Sequence, residues 1–183
     1  MNIETTPLAG LLLITPDVFG DERGFFQETW NLRRYTEGGL DRHFVQDNLS
    51  RSRKGILRGL HFQNPGPQGK LVYVLEGEVF DVAVDVRADS PTFGQWYGVT
   101  LSAENHRQLF VPEGFAHGFC VTSDTALFAY KCTDFYNPKA EFSLLWNDPD
   151  IGIEWPITNP QLSEKDRNGQ PLSDFSRTSL TVW

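Results

Sequence analysis

His61 and His117 stand where a small β-barrel would present metal ligands. His61 lies in Arg58-Gly59-Leu60-His61-Phe62-Gln63, ahead of the apolar run Lys70-Leu71-Val72-Tyr73-Val74-Leu75, and His117 lies in Pro112-Glu113-Gly114-Phe115-Ala116-His117-Gly118-Phe119. A transition metal needs three or four N or O donors converging at about 2 Å; such a barrel would supply a second His just after the first, an acid further on, and the later His. Position 63 is Gln63, and Lys70 stands in the stretch where the acid would fall. A cation repels a metal ion, so the set is read as metal-free. It suits an anionic substrate, or negative charge that develops during reaction.

Other charges sharpen that reading. A net charge of −8 argues against nucleic acid, whose affinity comes mostly from phosphate neutralisation by Lys and Arg. Against this acidic background Arg51, Arg53, Lys54 and Arg58 crowd together. The first three read as a solvated loop. Arg58 stands at the entrance to a strand, where alternation can send it toward a barrel lumen.

The elements that must hold these residues are short and extended. Strand-like runs fall at 11–14, 25–30, 43–48, 57–63, 70–75, 78–87, 96–102, 107–112, 117–122, 126–136 and 143–147, separated by Gly, Pro, Asn and Asp, with a tight hairpin at Glu76-Gly77. Only 31–37 reads as a helix, with a second short turn near 163–166. Such spacing predicts an all-β sandwich or barrel with a few short helices. At 183 residues, 39% apolar and 13% aromatic, the chain suits a single domain over 1–183 with a peripheral C-terminal tail from about 157. No run approaches about 18 apolar residues, and the start lacks a signal peptide, so the expected location is cytoplasmic, with no membrane partner. Cys120 and Cys132 read as buried free thiols in a reducing compartment.

Several blocks together carry a family resemblance: Gln46-Asp47-Asn48-Leu49-Ser50, Lys54-Gly55-Ile56-Leu57-Arg58-Gly59-Leu60-His61, Gln68-Gly69-Lys70-Leu71-Val72, the His117 segment, Tyr130-Lys131-Cys132-Thr133-Asp134 and Trp146-Asn147-Asp148-Pro149. In order, they resemble dTDP-4-dehydrorhamnose 3,5-epimerase from about Gly24 to Pro171. The resemblance implies a cupin-type jelly roll, a homodimer with exchanged N-terminal strands, no metal or other cofactor, and a dTDP-linked 4-keto-6-deoxy sugar as substrate. It also implies roles: Tyr130 as proton donor, Asp166 as the carboxylate that orients His61, and Arg23, Phe26, Glu28, Gln46, Asp47, Asn48, Arg58, His117, Tyr136, Glu141 and Lys165 as substrate contacts. Arg23 and Glu28 would reach across the dimer.

The implied chemistry can be tested against these residue types. The C3 and C5 protons flank the C4 ketone, and removing either leaves an enolate with its charge on the C4 oxygen. A gap of about ten pKa units between such a proton and imidazolium is roughly 14 kcal/mol, while general-base action supplies only about 100- to 10,000-fold. Preorganised positive charge must therefore stabilise the oxyanion, and Lys70 is the candidate. Inversion further requires acid-base groups on opposite faces: a neutral imidazole, His61, with an ordinary pKa near 6.5, and a protonated phenol, Tyr130, with an ordinary pKa near 10. Competing structural readings are strand packing for Tyr130, helix capping for Ser163-x-x-Asp166, and opposite strand faces, one in the core, for Phe25 and Phe26. Phe62, Tyr73, Phe110 and Phe135 depart from the usual family pattern. The alternatives are a single-centre (3- or 5-) epimerase of a related dTDP-4-keto-deoxy sugar, a silent binding module, and a metal-dependent cupin oxygenase or isomerase using His61, His117 and Glu76 or Glu78.

Overall fold

Alternation of apolar and polar residues along its strands folds much of the chain into two facing antiparallel sheets. The structure, a computed structural model, describes residues 1–175 and Leu180. In chain order run β1 (Asn2–Thr5), β2 (Leu12–Thr15), β3 (Val18–Asp21), β4 (Gly24–Gln27), α1 (Leu32–Glu37), β5 (Gln46–Arg53), β6 (Leu57–Gln63) and β7 (Lys70–Glu76). Then follow β8 (Glu78–Asp85), β9 (Trp96–Ser102), β10 (Gln108–Val111), β11 (Phe115–Val121), β12 (Thr125–Cys132), β13 (Glu141–Ser143) and α2 (Glu164–Arg167). A 3-10 turn covers Leu172–Asp174.

One sheet has the order β1-β2-β10-β7-β12-β5 and the other β13-β6-β11-β8-β9, while β3 and β4 form a separate ribbon. Between the sheets Val72, Leu109 and Phe128 from the first meet Val79, Leu101 and Phe119 from the second. Each fully buried side chain of this size contributes roughly 1.5–3 kcal/mol relative to an exposed one. The result is a cupin-type jelly roll.

β5 shows how a strand serves both solvent and lumen. Gln46, Asn48, Ser50 and Ser52 are half-buried or buried, alternating with exposed Asp47, Leu49, Arg51 and Arg53. Arg51 and Arg53, expected in a loop, therefore occupy the outer face of a strand, and the 43–48 reading began it too early. The run at 126–136 stops at Cys132, after which the chain turns and the Asp134 carboxylate accepts from the Phe135 amide. The 143–147 strand falls earlier, at Glu141–Ser143. Phe25 and Phe26 are both exposed, at 65% and 67%, so neither belongs to the core: no sheet covers either face of the β3–β4 ribbon.

The helices fall where their caps announce them. Asn31 accepts from the Arg34 amide at the start of α1, and Ser163 accepts from the Asp166 amide at the start of α2. Cys120 and Cys132 are free and buried. No helix among the described residues is long and apolar enough to cross a membrane.

Candidate active site

β6 and β11 pair antiparallel with His117 directly opposite His61. Two glycines permit that approach. A Cβ added to Gly118 would meet the Arg58 carbonyl oxygen at 2.6 Å, and one added to Gly59, whose φ is +115°, would meet the Gly118 Cα at 2.5 Å. The strand register shifts at this point, between His117 and Phe119, re-aiming the side chains beside the two imidazoles.

Each imidazole is held by its own carboxylate. His61 Nε2 lies 2.5 Å from Asp166 Oδ1, and the Ser163 hydroxyl donates to Asp166 Oδ2 at 2.8 Å. Burial pushes the Asp166 carboxyl upward, but the hydrogen bond and charge of His61, with Ser163 and Lys165, outweigh it and hold the group below its ordinary value. Asp166 is thus a carboxylate, fit to accept from a proton on His61 Nε2. The capping and orienting readings of Asp166 are both satisfied, because its backbone amide serves the cap while its side chain serves His61. His117 Nε2 lies 2.9 and 3.0 Å from the two oxygens of Asp81, which is fully buried. Burial pushes Asp81 up, only partly offset by His117 and Lys70.

The facing sheet supplies the cation and the phenol. Lys70 on β7 lies opposite Cys132 on β12, and Tyr130 lies between Val72 and Asn48. Burial pulls the Lys70 ammonium below its ordinary value, partly offset by Cys132, Glu141, Asp81 and Glu113. Burial pushes the Tyr130 phenol up, Cys132 adding to the shift and Arg58 opposing it. Tyr130 is therefore not a surface strand residue; its ring borders the cavity.

Two cavities meet here. The larger, about 540 Å³, is lined by Arg58, His117, Phe119, Phe128, Lys165 and Asp166 among others. The smaller, about 290 Å³, is lined by Gln46, Asn48, Gln63, Cys132, Tyr136 and Glu141 among others. Among the described residues, His61, Lys70 and Tyr130 are the only ones lining both. Glu141 spans the rim: its Oε2 lies 2.5 Å from Lys165 Nζ and accepts from the Tyr136 hydroxyl at 2.7 Å, while its Oε1 lies 3.8 Å from His61 Nδ1. Burial raises the Glu141 carboxyl, yet Lys165, Tyr136 and His61 together bring it below its ordinary value. Arg58 donates to the Ser52 hydroxyl at 3.0 Å. The segment after residue 157, expected at the periphery, supplies Gln161, Leu162, Ser163, Lys165 and Asp166 to the cavity wall.

Not every expected residue converges. Asp47 alternates to the outer face of β5, where Lys131 Nζ donates to it at 2.8 Å. Arg23 pairs with Asp21 on the exposed ribbon, and Glu28 accepts from Asn31 near α1; neither they nor Phe26 line the two cavities. Gln63 braces a loop, donating to the carbonyls of Gly66 and Phe135 and accepting from the Asn137 amide. Glu76 pairs with Arg51 and Glu78 accepts from Thr122, so neither joins the imidazoles. Among the described residues no three His, Cys, Asp or Glu side chains converge as metal ligands. Asp81, Ser163 and Ser52 were missed as supporting groups. For Asp81 the signal was present: a carboxylate at an inward position of Val79-Phe80-Asp81-Val82-Ala83 needs a partner.

A sequence model described as dTDP-4-dehydrorhamnose 3,5-epimerase matches residues 5–174. The chain belongs to the dTDP-4-dehydrorhamnose 3,5-epimerase family. The dTDP-4-dehydrorhamnose 3,5-epimerase of Shigella flexneri is 58% identical over 176 residues, covering 95% of this chain and 97% of that protein. Its counterpart from Methanothermobacter thermautotrophicus is 54% identical over 172 residues, covering 92% and 93%. The crystal structure of dTDP-6-deoxy-D-glucose-3,5-epimerase from Legionella pneumophila, in complex with dTDP-4-keto-L-rhamnose, matches with a TM-score of 0.95 at 54% identity, covering 100% of this chain and 98% of that one. As a member of the family this chain is an isomerase, a carbohydrate epimerase.

Proposed function

We propose that this epimerase inverts C3 and C5 of dTDP-4-dehydro-6-deoxy-D-glucose to give dTDP-4-dehydro-L-rhamnose, using His61 as base, Tyr130 as acid and Lys70 as the oxyanion's partner. The observation that carries the assignment is that, among the described residues, these three alone border both cavities. A sugar ring seated at that junction, with the rest of the nucleotide sugar in the adjoining space, meets the imidazole, the phenol and the ammonium together.

His61 Nδ1 takes a proton from the carbon beside the ketone, and the resulting imidazolium is stabilised by Asp166 through Nε2–H. The electron pair of the C–H bond moves into the ring and places charge on the C4 oxygen, against Lys70 and the donors around it. Tyr130 delivers a proton to the opposite face. His61 and Tyr130 then return to their starting states by exchange with water, so each inverted carbon acquires solvent hydrogen. Arg58, Gln46, Asn48, His117, Tyr136, Glu141 and Lys165 hold the substrate; Arg58 suits phosphate because its guanidinium binds two oxygens at once.

Arg23, Phe26 and Glu28 act from the partner subunit of a homodimer. Support comes from the exposed apolar ribbon, on which Phe19, Phe25 and Phe26 are 62%, 65% and 67% accessible. The enzyme works as one domain in the cytoplasm, where the free Cys120 and Cys132 thiols stay reduced. Proton NMR of the keto sugar in deuterium oxide is the test: deuterium should enter both C3 and C5. Incorporation at one carbon alone would make this a single-centre enzyme, and none at either would sink the assignment.

A further inference from the structure

Ser50 lines the larger cavity, and its Oγ is the one buried side-chain nitrogen or oxygen among the described residues that lacks a hydrogen-bond partner. Its neighbours on the inner face of β5 are all engaged: Gln46 donates to Asn48, Asn48 to the Cys132 sulfur, and Ser52 accepts from Arg58. The cavity it borders is walled by apolar side chains such as Ile56, Phe119 and Phe128 and by polar ones such as Arg58 and Lys165, none of which hydrogen-bonds the Ser50 hydroxyl. A hydroxyl shut away unpaired destabilises a fold, and alanine would fill nearly the same space without that cost.

Ser50 lies opposite Phe128, and the next inward pair along the same strands is Asn48 with Tyr130. Two strand residues span about 6–7 Å, which is within reach of one sugar ring seated against the phenol. We infer that Ser50 Oγ donates a hydrogen bond to an oxygen of the bound sugar nucleotide, at the end of the cavity that Arg58 also borders. The inference rests on the reaction proposed above and adds a substrate-binding residue to it. The acceptor is a sugar oxygen or a phosphate oxygen.

Ser50→Ala separates these cases when turnover of the keto sugar, calorimetric binding of dTDP alone and thermal unfolding of the empty enzyme are read together. KM should rise about fivefold with kcat changed by less than about twofold, the size of one net hydrogen bond. The melting temperature should stay level or rise. A matching loss of dTDP affinity places the acceptor on the diphosphate; unchanged dTDP affinity places it on the sugar. Ser50→Thr, which keeps the hydroxyl, should hold the wild-type KM. Unchanged KM and dTDP binding in Ser50→Ala, an equal rise of KM in both variants, or an alanine variant that melts lower or fails to fold would each overturn the inference. Failure of the unmodified enzyme to turn over the keto sugar would instead remove the proposed reaction, with dTDP calorimetry still reporting on Ser50.

Discussion

In the proposed reaction His61 Nδ1 is the atom on which the chemistry turns, because Nε2 lies 2.5 Å from Asp166 Oδ1. His61→Ala should abolish exchange of both the C3 and C5 protons with solvent deuterium, a loss of at least about 100-fold. Tyr130→Phe should keep some C3 exchange while failing to complete inversion at C5, and the product stereochemistry by NMR separates the two variants. Lys70 makes a different kind of prediction. Burial holds its folded pKa below the ordinary 10.5 and pushes the Tyr130 phenol above its ordinary 10. The alkaline limb of the activity profile should therefore lie below pH 10.5, and a limb set by Lys70 should move upward in Lys70→Arg, since guanidinium keeps its proton. The same shift bears on stability. Between the folded pKa and 10.5 the unfolded chain holds more protons, so stability rises with pH across that window, and at neutral pH the buried charge is a penalty. Lys70→Met should raise the melting temperature while cutting kcat by about 100- to 1,000-fold.

At the scale of elements, two local devices aim these side chains. The first is the close contact of β6 and β11 at Gly59 and Gly118. Gly118→Ala should cost about 1–3 kcal/mol in denaturant unfolding, because an extra methyl there presses on backbone rather than on a flexible side chain. The second is α2, whose cap and whose catalytic support are one structure. Ser163 accepts from the Asp166 amide and donates to the Asp166 carboxylate. Ser163→Ala should lose about 1 kcal/mol of stability and also lower kcat, whereas a plain capping role would leave kcat unchanged. Asp166, held below its ordinary 3.8, adds stability that is complete above pH 3.8 and lost as pH falls through its folded pKa. Asp166→Asn should therefore flatten the acid limb of the stability curve.

At the scale of the whole molecule, the proposed homodimer would complete the site. Arg23, Phe26 and Glu28 sit outside these two cavities of their own chain, on or beside a ribbon whose Phe19, Phe25 and Phe26 are exposed. A second copy that laid this ribbon against the rim would bury the phenylalanines and add a guanidinium near the diphosphate. Activity per subunit should then fall on dilution below the dimer's dissociation constant, and Arg23→Ala should weaken dTDP binding with kcat little changed. Gel filtration showing a stable, fully active monomer would exclude the shared site.

What the residues alone determined was local. Period-two patterning marked most of the strands, Asn31 and Ser163 announced the two helices, and the blocks around His61, Lys70, His117 and Tyr130 carried the family resemblance. These signals lie within a few neighbouring positions, where alternation and capping operate. Only the tertiary structure decided which strand face meets the lumen, turning Asp47 outward beside Gln46 and Asn48, exposing both Phe25 and Phe26, and drawing the segment after 157 into the cavity wall. It also paired His117 with Asp81, 36 positions apart. Register and sheet order set such contacts, and they depend on how the two sheets close over one core.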